Sequence, residues 1–149
     1  MTEIKRDLYL QKLIDRKENG EIKVITGIRR CGKSYLLFNL YYNYLLQNGV
    51  DKDCIIRIAL DSPEWEDMLN IQMLNEYIKS KIVPEKMNYI FLDEVQFVDG
   101  FAKLFNGLNR YSNLDIYVTG SNSKFLSTDI LTEFRGRGDE VRVYPLNYA

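Results

Sequence analysis

The sequence predicts a three-layer α/β protein, in which helices cover both faces of a mostly parallel five-stranded sheet. Segments rich in β-branched and aromatic residues alternate with stretches of helical periodicity along the chain. The run "NYIFL" at residues 88–92 is almost continuously apolar, as expected for a strand that is buried on both faces. A glycine-containing turn, "TGIRRCGKS" at residues 26–34, lies between a predicted strand and a predicted helix.

The first part of the chain is predicted to form two helices and two strands. Residues 6–17 carry apolar side chains at helical spacing, and "ENG" ends this helix. Residues 21–26 form the first strand. Residues 33–47 place leucines on one face of a second helix, and Asn48-Gly49 ends it. Residues 54–60, "CIIRIAL", form the second strand.

The middle of the chain continues the alternation. Ser62-Pro63 begins a helical stretch, because proline suits a first helical turn. A further helix begins near Asn70 and ends before Pro84. Residues 88–92 are the third strand. The apolar spacing at residues 101–111 predicts an amphipathic helix, for which Asp99 is the expected cap.

The last part is predicted to contain a strand at residues 114–120, a short helix at residues 127–134 and a final strand at residues 139–146. The chain has 149 residues and carries no repeat, low-complexity tract or linker. A chain of this length can bury a substantial core, so residues 1–149 are expected to form one domain.

The amino-acid composition argues against several kinds of binding partner and catalytic site. Apolar residues make up 46% of the chain and the net charge is −1, which argues against a dominant non-specific nucleic-acid surface. No stretch approaches the roughly 20 apolar residues that span a bilayer, so no membrane partner is expected. The absence of histidine excludes histidine-based triads and histidine-ligated zinc. Two cysteines without CxxC spacing, and no export signal, favour a cytoplasmic location.

Residues 27–34, "GIRRCGKS", match the pattern GxxxxGK[ST] between a strand and a helix, as that motif requires. Glycines allow backbone N–H groups to converge on an anion at a helix N-terminus. We expect a nucleotide's phosphates here, with Lys33 at the terminal phosphates and the Ser34 hydroxyl at Mg²⁺. The alternative is a glycine-rich turn that binds nothing. The expected nucleotide contacts are Gly27, Ile28, Arg29, Arg30, Cys31, Gly32, Lys33, Ser34 and Tyr35.

Three of these loop residues have two interpretations. Arg29 and Arg30 either contact phosphate or extend into solvent. Cys31 is interpreted as a small loop residue rather than a redox-sensing thiol, since a reactive thiol needs exposure and a lowered pKa.

An acidic pair follows the third strand. "YIFLDE" places Asp93 at the carboxyl edge of the sheet, where open α/β folds bind their ligands. Asp93 is the expected partner of Ser34 in the magnesium site. Glu94 is the expected general base that orients and polarises a water for attack on the γ-phosphate. In the alternative interpretation, Glu94 only caps the following turn or pairs with an arginine.

Two further clusters would complete a hydrolytic site. "VTGSNS" ends the fourth strand, and Ser121 or Asn122 is expected to contact the γ-phosphate or the attacking water, unless these are ordinary turn residues. "FRGRG" offers Arg135 and Arg137 on a glycine-bounded loop. One of them is a candidate arginine finger, within the chain or towards a neighbouring copy; the alternative is a surface arginine.

With these motifs, the sequence resembles the AAA-type P-loop ATPases of bacteria and archaea, in particular a predicted-ATPase branch related to archaeal-type and signal-transduction NTPases. The resemblance rests on "VITGIRRCGKSYLL", "YIFLDEVQFVDGF", "YVTGSNS" and "FRGRGDEVRVYPLNY", in that order. It implies the P-loop NTPase fold, with an additional strand between the phosphate-loop strand and the strand that leads to Asp93.

The resemblance also implies a set of site residues and partners. It implies ATP and Mg²⁺ as cofactors, metal contact from Asp93, water activation by Glu94, a sensor role at Ser121 and Asn122 and an arginine role at Arg137. Gln96 falls where this branch has glutamine, without an assigned role. Family members continue past "PL" into further domains. The resemblance therefore implies an isolated ATPase domain whose DNA or protein partner acts through C-terminal regions absent from this chain.

The expected function is an ATPase module that hydrolyses Mg-ATP and transmits the resulting conformational change to other domains or subunits. One alternative is an ATP-dependent switch that hydrolyses its nucleotide very slowly. A small-molecule kinase is a further alternative, which the adjacent acidic pair and the lack of an arginine-rich lid disfavour.

Overall fold

The computed structural model describes residues 2–27, 32–121, 134 and 138–144, with side chains from Asp7 onward. Among these residues the strands are β1 (Ile22–Thr26), β2 (Ile55–Ala59), β3 (Asn88–Asp93), β4 (Leu114–Gly120) and β5 (Gly138–Arg142). The α-helices are α1 (Thr2–Asp15), α2 (Lys33–Tyr35), α3 (Tyr42–Gln47), α4 (Ile71–Lys81) and α5 (Phe101–Leu108).

The helix expected over residues 33–47 forms, but it is not uniform. A π-helical segment, Leu36–Tyr41, joins α2 to α3 and buries Leu36, Leu37 and Tyr41. Short 3₁₀ segments occupy Lys52–Cys54, Pro63–Leu69 and Val95–Phe97. No helix within the described ranges is long and apolar enough to cross a membrane.

The described strands form a five-stranded sheet in the order β2-β3-β4-β1-β5, and every pairing in it is parallel. The predicted fold class is confirmed. β4 lies between β1 and β3, as the resemblance implied. The register pairs Ala59 with Asp93, and Thr26 with both Gly120 and Arg142. The strands therefore end at one edge of the sheet, which brings the segments that follow them together.

Alternating side chains of the strands pack into two separate apolar layers. On β3, Ile90 and Leu92 face the layer covered by α4 and α5. Tyr89 and Phe91 face the layer covered by α1, α3 and the π-helical segment. The strand is thus buried on both faces, which explains the continuous apolar run in its sequence.

Two sequence predictions about α5 are wrong. The N-cap is Gly100 rather than Asp99, and the helix ends at Leu108 rather than Tyr111. Gly100 has a φ of 82°, which glycine adopts without the strain that a side chain would bring. A Cβ on Gly100 would also lie 3.1 Å from Cδ1 of Ile71 on α4. Close packing of α5 against α4 therefore selects glycine at this cap.

The last two predicted elements are described only in part. The expected helix at residues 127–134 lies outside the described residues except for Phe134. That side chain is buried, and its ring centroid lies 6.1 Å from that of Phe101. The final strand is Gly138–Arg142, so it begins one residue earlier than predicted and ends before Val143 and Tyr144, while residues 145–146 lie outside the described part.

Candidate nucleotide-binding site

The described ends of the glycine-containing loop are held close together. Gly27 directly follows β1, and Gly32 caps α2 with a φ of 97°. Lys33 is only 4% exposed, and its Nζ donates a hydrogen bond of 3.0 Å to the carbonyl oxygen of Gly27. The lysine therefore bridges the two ends of the loop. Ile28, Arg29, Arg30 and Cys31 lie outside the described residues.

The Ser34 hydroxyl meets the carboxylate at the end of β3. Ser34 Oγ donates a hydrogen bond of 2.6 Å to Oδ2 of Asp93, and Thr119 Oγ1 donates one of 2.5 Å to Oδ1. Burial raises the pKa of Asp93, while the hydrogen bonds from Ser34 and Thr119 oppose that rise. The two hydrogen bonds therefore fix the orientation of the Asp93 carboxylate.

Glu94 occupies a strained backbone position at the sheet edge. Its φ of 58° and ψ of 54° lie in the left-handed region, which non-glycine residues seldom adopt. The backbone N–H of Glu94 donates to Thr119 Oγ1 at 2.9 Å. One hydroxyl on β4 therefore holds Asp93 by its carboxylate and Glu94 by its amide.

The Glu94 carboxylate is itself engaged. Its Oε1 accepts a hydrogen bond of 2.8 Å from Ser121 Oγ and one of 2.6 Å from Gln96 Nε2. Glu94 is 6% exposed, yet it lines a cleft of about 310 Å³ together with Gly32, Lys33, Ser34 and Tyr35. That volume lies at the lower end of the range for small-molecule sites, roughly 300–1,000 Å³.

The structure brings all of the described candidate residues to one edge of the sheet. They are Gly27, Gly32, Lys33, Ser34, Tyr35, Asp93, Glu94 and Ser121. The candidates Asn122, Arg135 and Arg137 lie outside the described residues.

Sequence reasoning missed Thr119 and left Gln96 without a role. In "IYVTGS", Thr119 resembles an ordinary β-branched strand residue. The parallel pairing of Leu92 with Val118 places Thr119 opposite Asp93, and this register is visible only in the folded sheet, so no local sequence signal identified Thr119. Gln96 lies two residues after Glu94, in the middle of a 3₁₀ turn whose side chains are hard to place from sequence.

The chain is similar in sequence to a known domain family and to proteins of other organisms. A family model described as an AAA domain matches residues 19–149. An uncharacterised protein of Haemophilus influenzae is 39% identical over 146 residues, which cover 97% of this chain and 36% of that protein. The chain therefore spans about a third of the length of this relative.

Solved structures share the fold at lower identity. The Drosophila ORC bound to DNA superposes with a TM-score of 0.63 at 14% identity, covering 99% of this chain and 95% of that chain. AMPPCP-bound DnaA from Aquifex aeolicus gives a TM-score of 0.55 at 20% identity, covering 90% and 43% of the two chains. The family model matches most of the chain, and the sheet has the topology of these neighbours, so the chain belongs to the AAA domain family of P-loop ATPases.

Proposed function

We propose that this domain binds Mg-ATP and hydrolyses it. The observation that carries the proposal is the 2.6 Å contact between Ser34 and Asp93, beside a cleft that Lys33 and Glu94 also line. A hydroxyl after the phosphate loop next to a carboxylate at the end of a central strand is the arrangement that P-loop ATPases use for nucleotide and metal. The AMPPCP bound to DnaA supports a nucleotide as the ligand of this fold.

Lys33 and the start of α2 are proposed to hold the phosphates. Lys33 Nζ donates to a loop carbonyl, and a phosphate oxygen is a stronger acceptor for the same ammonium group. The N–H groups at the beginning of α2 add partial positive charge. Tyr35, which is 44% exposed, lines the same cleft and is proposed to contact the nucleotide.

The residues present fit a magnesium ion. Mg²⁺ prefers oxygen ligands and keeps several waters, so one or two protein oxygens suffice when phosphates supply others. The Ser34 hydroxyl and the Asp93 carboxylate are adjacent oxygens of the right kind. Bound there, the ion would neutralise charge on the phosphates.

Glu94 is proposed to accept a proton from the attacking water. Its Oε1 already has two donors, Ser121 and Gln96, which fix the direction of the carboxylate. The other oxygen, Oε2, is the proposed acceptor for the water. Ser121 and Asn122 are proposed to sense the γ-phosphate, and Arg137 or Arg135 to stabilise charge in the transition state, within the chain or from a second copy.

A second candidate function is an ATP-dependent switch with little hydrolysis. It is favoured by the same two donors, since they occupy Oε1 of Glu94 and leave only Oε2 to orient a water. In either case we propose that residues 1–149 form one cytoplasmic domain of a longer protein. The ATP-dependent change would then be transmitted to protein or DNA partners through the remainder of that protein.

Free-phosphate release from Mg-ATP tests the proposal. Glu94→Gln is expected to lower the release rate by about 10²–10³-fold while nucleotide binding survives. Lys33→Ala should weaken nucleotide binding itself. Glu64→Gln changes an exposed carboxylate outside the cleft and serves as the matched control. Nucleotide binding without release in any variant would select the switch, and no binding at all would refute both.

A further inference from the structure

A large cavity among the described residues does not belong to the nucleotide site. It is a groove of about 650 Å³ between α4 and α5, on the face of the sheet opposite α1 and α3. None of its lining residues lines the nucleotide cleft. A binding function of this groove would therefore be separate from the ATP chemistry.

The floor of the groove is apolar. Ile71, Leu104 and Leu108 line it and also pack into the core layer beneath the two helices. Tyr111, 45% exposed, stands at its margin. Floors of this kind accept apolar side chains of a partner, since burying them removes apolar surface from water.

Gly107 leaves a gap in the groove wall. It lies in the last turn of α5, is exposed and has an ordinary helical backbone rather than a positive φ. A Cβ at this position would meet no described atom within 4 Å. Neither the backbone nor the packing of the described chain requires glycine here, and its absence of a side chain lets another backbone approach α5 closely.

The rim of the groove is cationic. Lys79, Lys103 and Arg110 line it, all three are exposed, and no Asp or Glu lines it. None of the three forms an ion pair with a described residue. The chain as a whole has 20 basic and 21 acidic residues, so this cluster is a local excess of positive charge. It is complementary to an anionic partner.

We propose that the α4–α5 groove binds an acidic amphipathic segment of a partner protein. Apolar side chains of the segment contact the floor at Ile71, Leu104 and Leu108, and its carboxylates pair with Lys79, Lys103 and Arg110. Gly107 provides room for the backbone of the segment. A nucleic acid fits less well, because phosphate backbones are bound by extended rows of cations and make no use of an apolar floor.

A labelled peptide tests the proposal directly. The probe is a fluorescein-labelled amphipathic peptide of about 14 residues, roughly four helical turns, with leucines at helical spacing on one face and glutamates on the other. Fluorescence anisotropy against the wild-type chain is expected to show saturable binding that weakens with added salt. The same peptide with lysines for glutamates, or with serines for leucines, should not bind.

Matched variants locate the binding site. Lys103→Glu is expected to weaken peptide binding about tenfold, the equivalent of roughly 1.4 kcal/mol. Lys52→Glu reverses an exposed lysine away from the groove and should leave binding unchanged. Gly107→Leu should weaken binding by filling the gap, with circular dichroism confirming that the variant folds.

Three results would overturn the proposal. The first is no peptide binding, or binding that Lys103→Glu and Gly107→Leu leave unaltered. The second is binding of a DNA duplex, lost in Lys103→Glu, when the acidic peptide does not bind; this would make the groove a nucleic-acid site. The third is self-association of the wild-type chain in sedimentation that Lys103→Glu abolishes, which would make a second copy the occupant.

Discussion

Thr119 is a single buried hydroxyl that holds both acidic residues of the proposed site. It donates to Asp93 and accepts from the amide of Glu94, so it supports the left-handed backbone of Glu94 as well as the direction of the Asp93 carboxylate. Its β-branched side chain also suits the end of a buried strand. The residue therefore has a role in stability and, under the proposed function, in positioning.

Thr119→Val keeps the shape of the side chain and removes the hydroxyl. The unpaired Glu94 amide is expected to cost about 1–3 kcal/mol of unfolding free energy, measured by urea denaturation. Under the proposed function, phosphate release should fall about 10–100-fold with little change in nucleotide affinity, because a displaced carboxylate cannot orient the water. Thr119→Ser restores the hydroxyl and should recover most of both losses. Equal activity of the valine and serine variants would contradict this role.

Lys23 is fully buried in β1, where it pairs with Asp115 of β4. Its Nζ donates to Asp115 Oδ1 at 2.5 Å and to Asn19 Oδ1 at 3.0 Å, and Tyr117 OH donates to Asp115 Oδ2 at 2.7 Å. The ammonium group of Lys23 and the carboxylate of Asp115 are therefore each bonded to the other and to one further polar side chain. Removing only one of them leaves the other buried without its counter-charge.

Lys23→Met is expected to destabilise the chain by about 3–5 kcal/mol in urea or thermal unfolding. Lys17→Met is the control, because Lys17 forms a comparable short ion pair with Glu18 at 2.6 Å but at 30% and 36% side-chain exposure. Its loss should be at most about 1 kcal/mol. Similar losses for the two variants would show that burial does not set the strength of the Lys23–Asp115 pair.

At the scale of the elements, α5 has a glycine near each end, and the structure requires glycine at only one of the two positions. Gly100 caps the helix with a positive φ, and a Cβ there would meet Ile71 on α4. Gly107 has neither restriction. The same substitution should thus change stability in opposite directions at the two ends of one helix.

Gly107→Ala is expected to raise the free energy of unfolding by up to about 1 kcal/mol, since alanine has the higher helix propensity and loses less backbone entropy on folding. Gly100→Ala should lower it by about 1 kcal/mol or more, through strain at φ 82° and contact with Ile71. Thermal unfolding of both variants measures the two shifts. A loss of stability in Gly107→Ala would mean that the position is packed more tightly than its surroundings indicate.

At the scale of the whole molecule, Glu18 links the segment after α1 to the sheet. Its Oε2 accepts from Lys17 Nζ at 2.6 Å and from Tyr89 OH at 2.5 Å, and its own N–H donates to Asp115 at 2.9 Å. The hydrogen bond from Lys17, followed by that from Tyr89, lowers the pKa of Glu18 below its usual value. The charged form of Glu18 is therefore favoured in the folded state.

Because this carboxyl has a lowered pKa when folded, its contribution to stability is present above the unfolded pKa and is lost as the pH falls through the folded pKa. Tyr89→Phe removes one donor, so the acid loss of stability attributable to Glu18 should become smaller. Urea midpoints from roughly pH 6 to pH 3 measure it. Tyr42→Phe changes a residue that has no hydrogen bond to Glu18, so it is the control. It should leave the slope of the urea midpoint against pH unchanged. An unchanged slope in Tyr89→Phe would contradict the link.

The sequence alone determined the α/β architecture and most of the described nucleotide-site residues. Continuous apolar runs and period-3.6 patterns are local, so elements such as the strand β3 and the helix α4 were recognisable without the fold. The GxxxxGK[ST] pattern and the acids after β3 were recognisable for the same reason, because their chemistry depends on short-range spacing.

The tertiary structure decided what depends on contacts between distant segments. The Thr119 bridge joins β4 to β3, and the buried Lys23 pairs across strands. The contact of α4 adds a second restriction at Gly100 to the one that its positive φ sets. The cationic groove likewise exists only where α4 and α5 meet. Sequence patterns carry no information on which side chains meet across the sheet, because that depends on strand order and register, and these set the distances over which hydrogen bonds and ion pairs act.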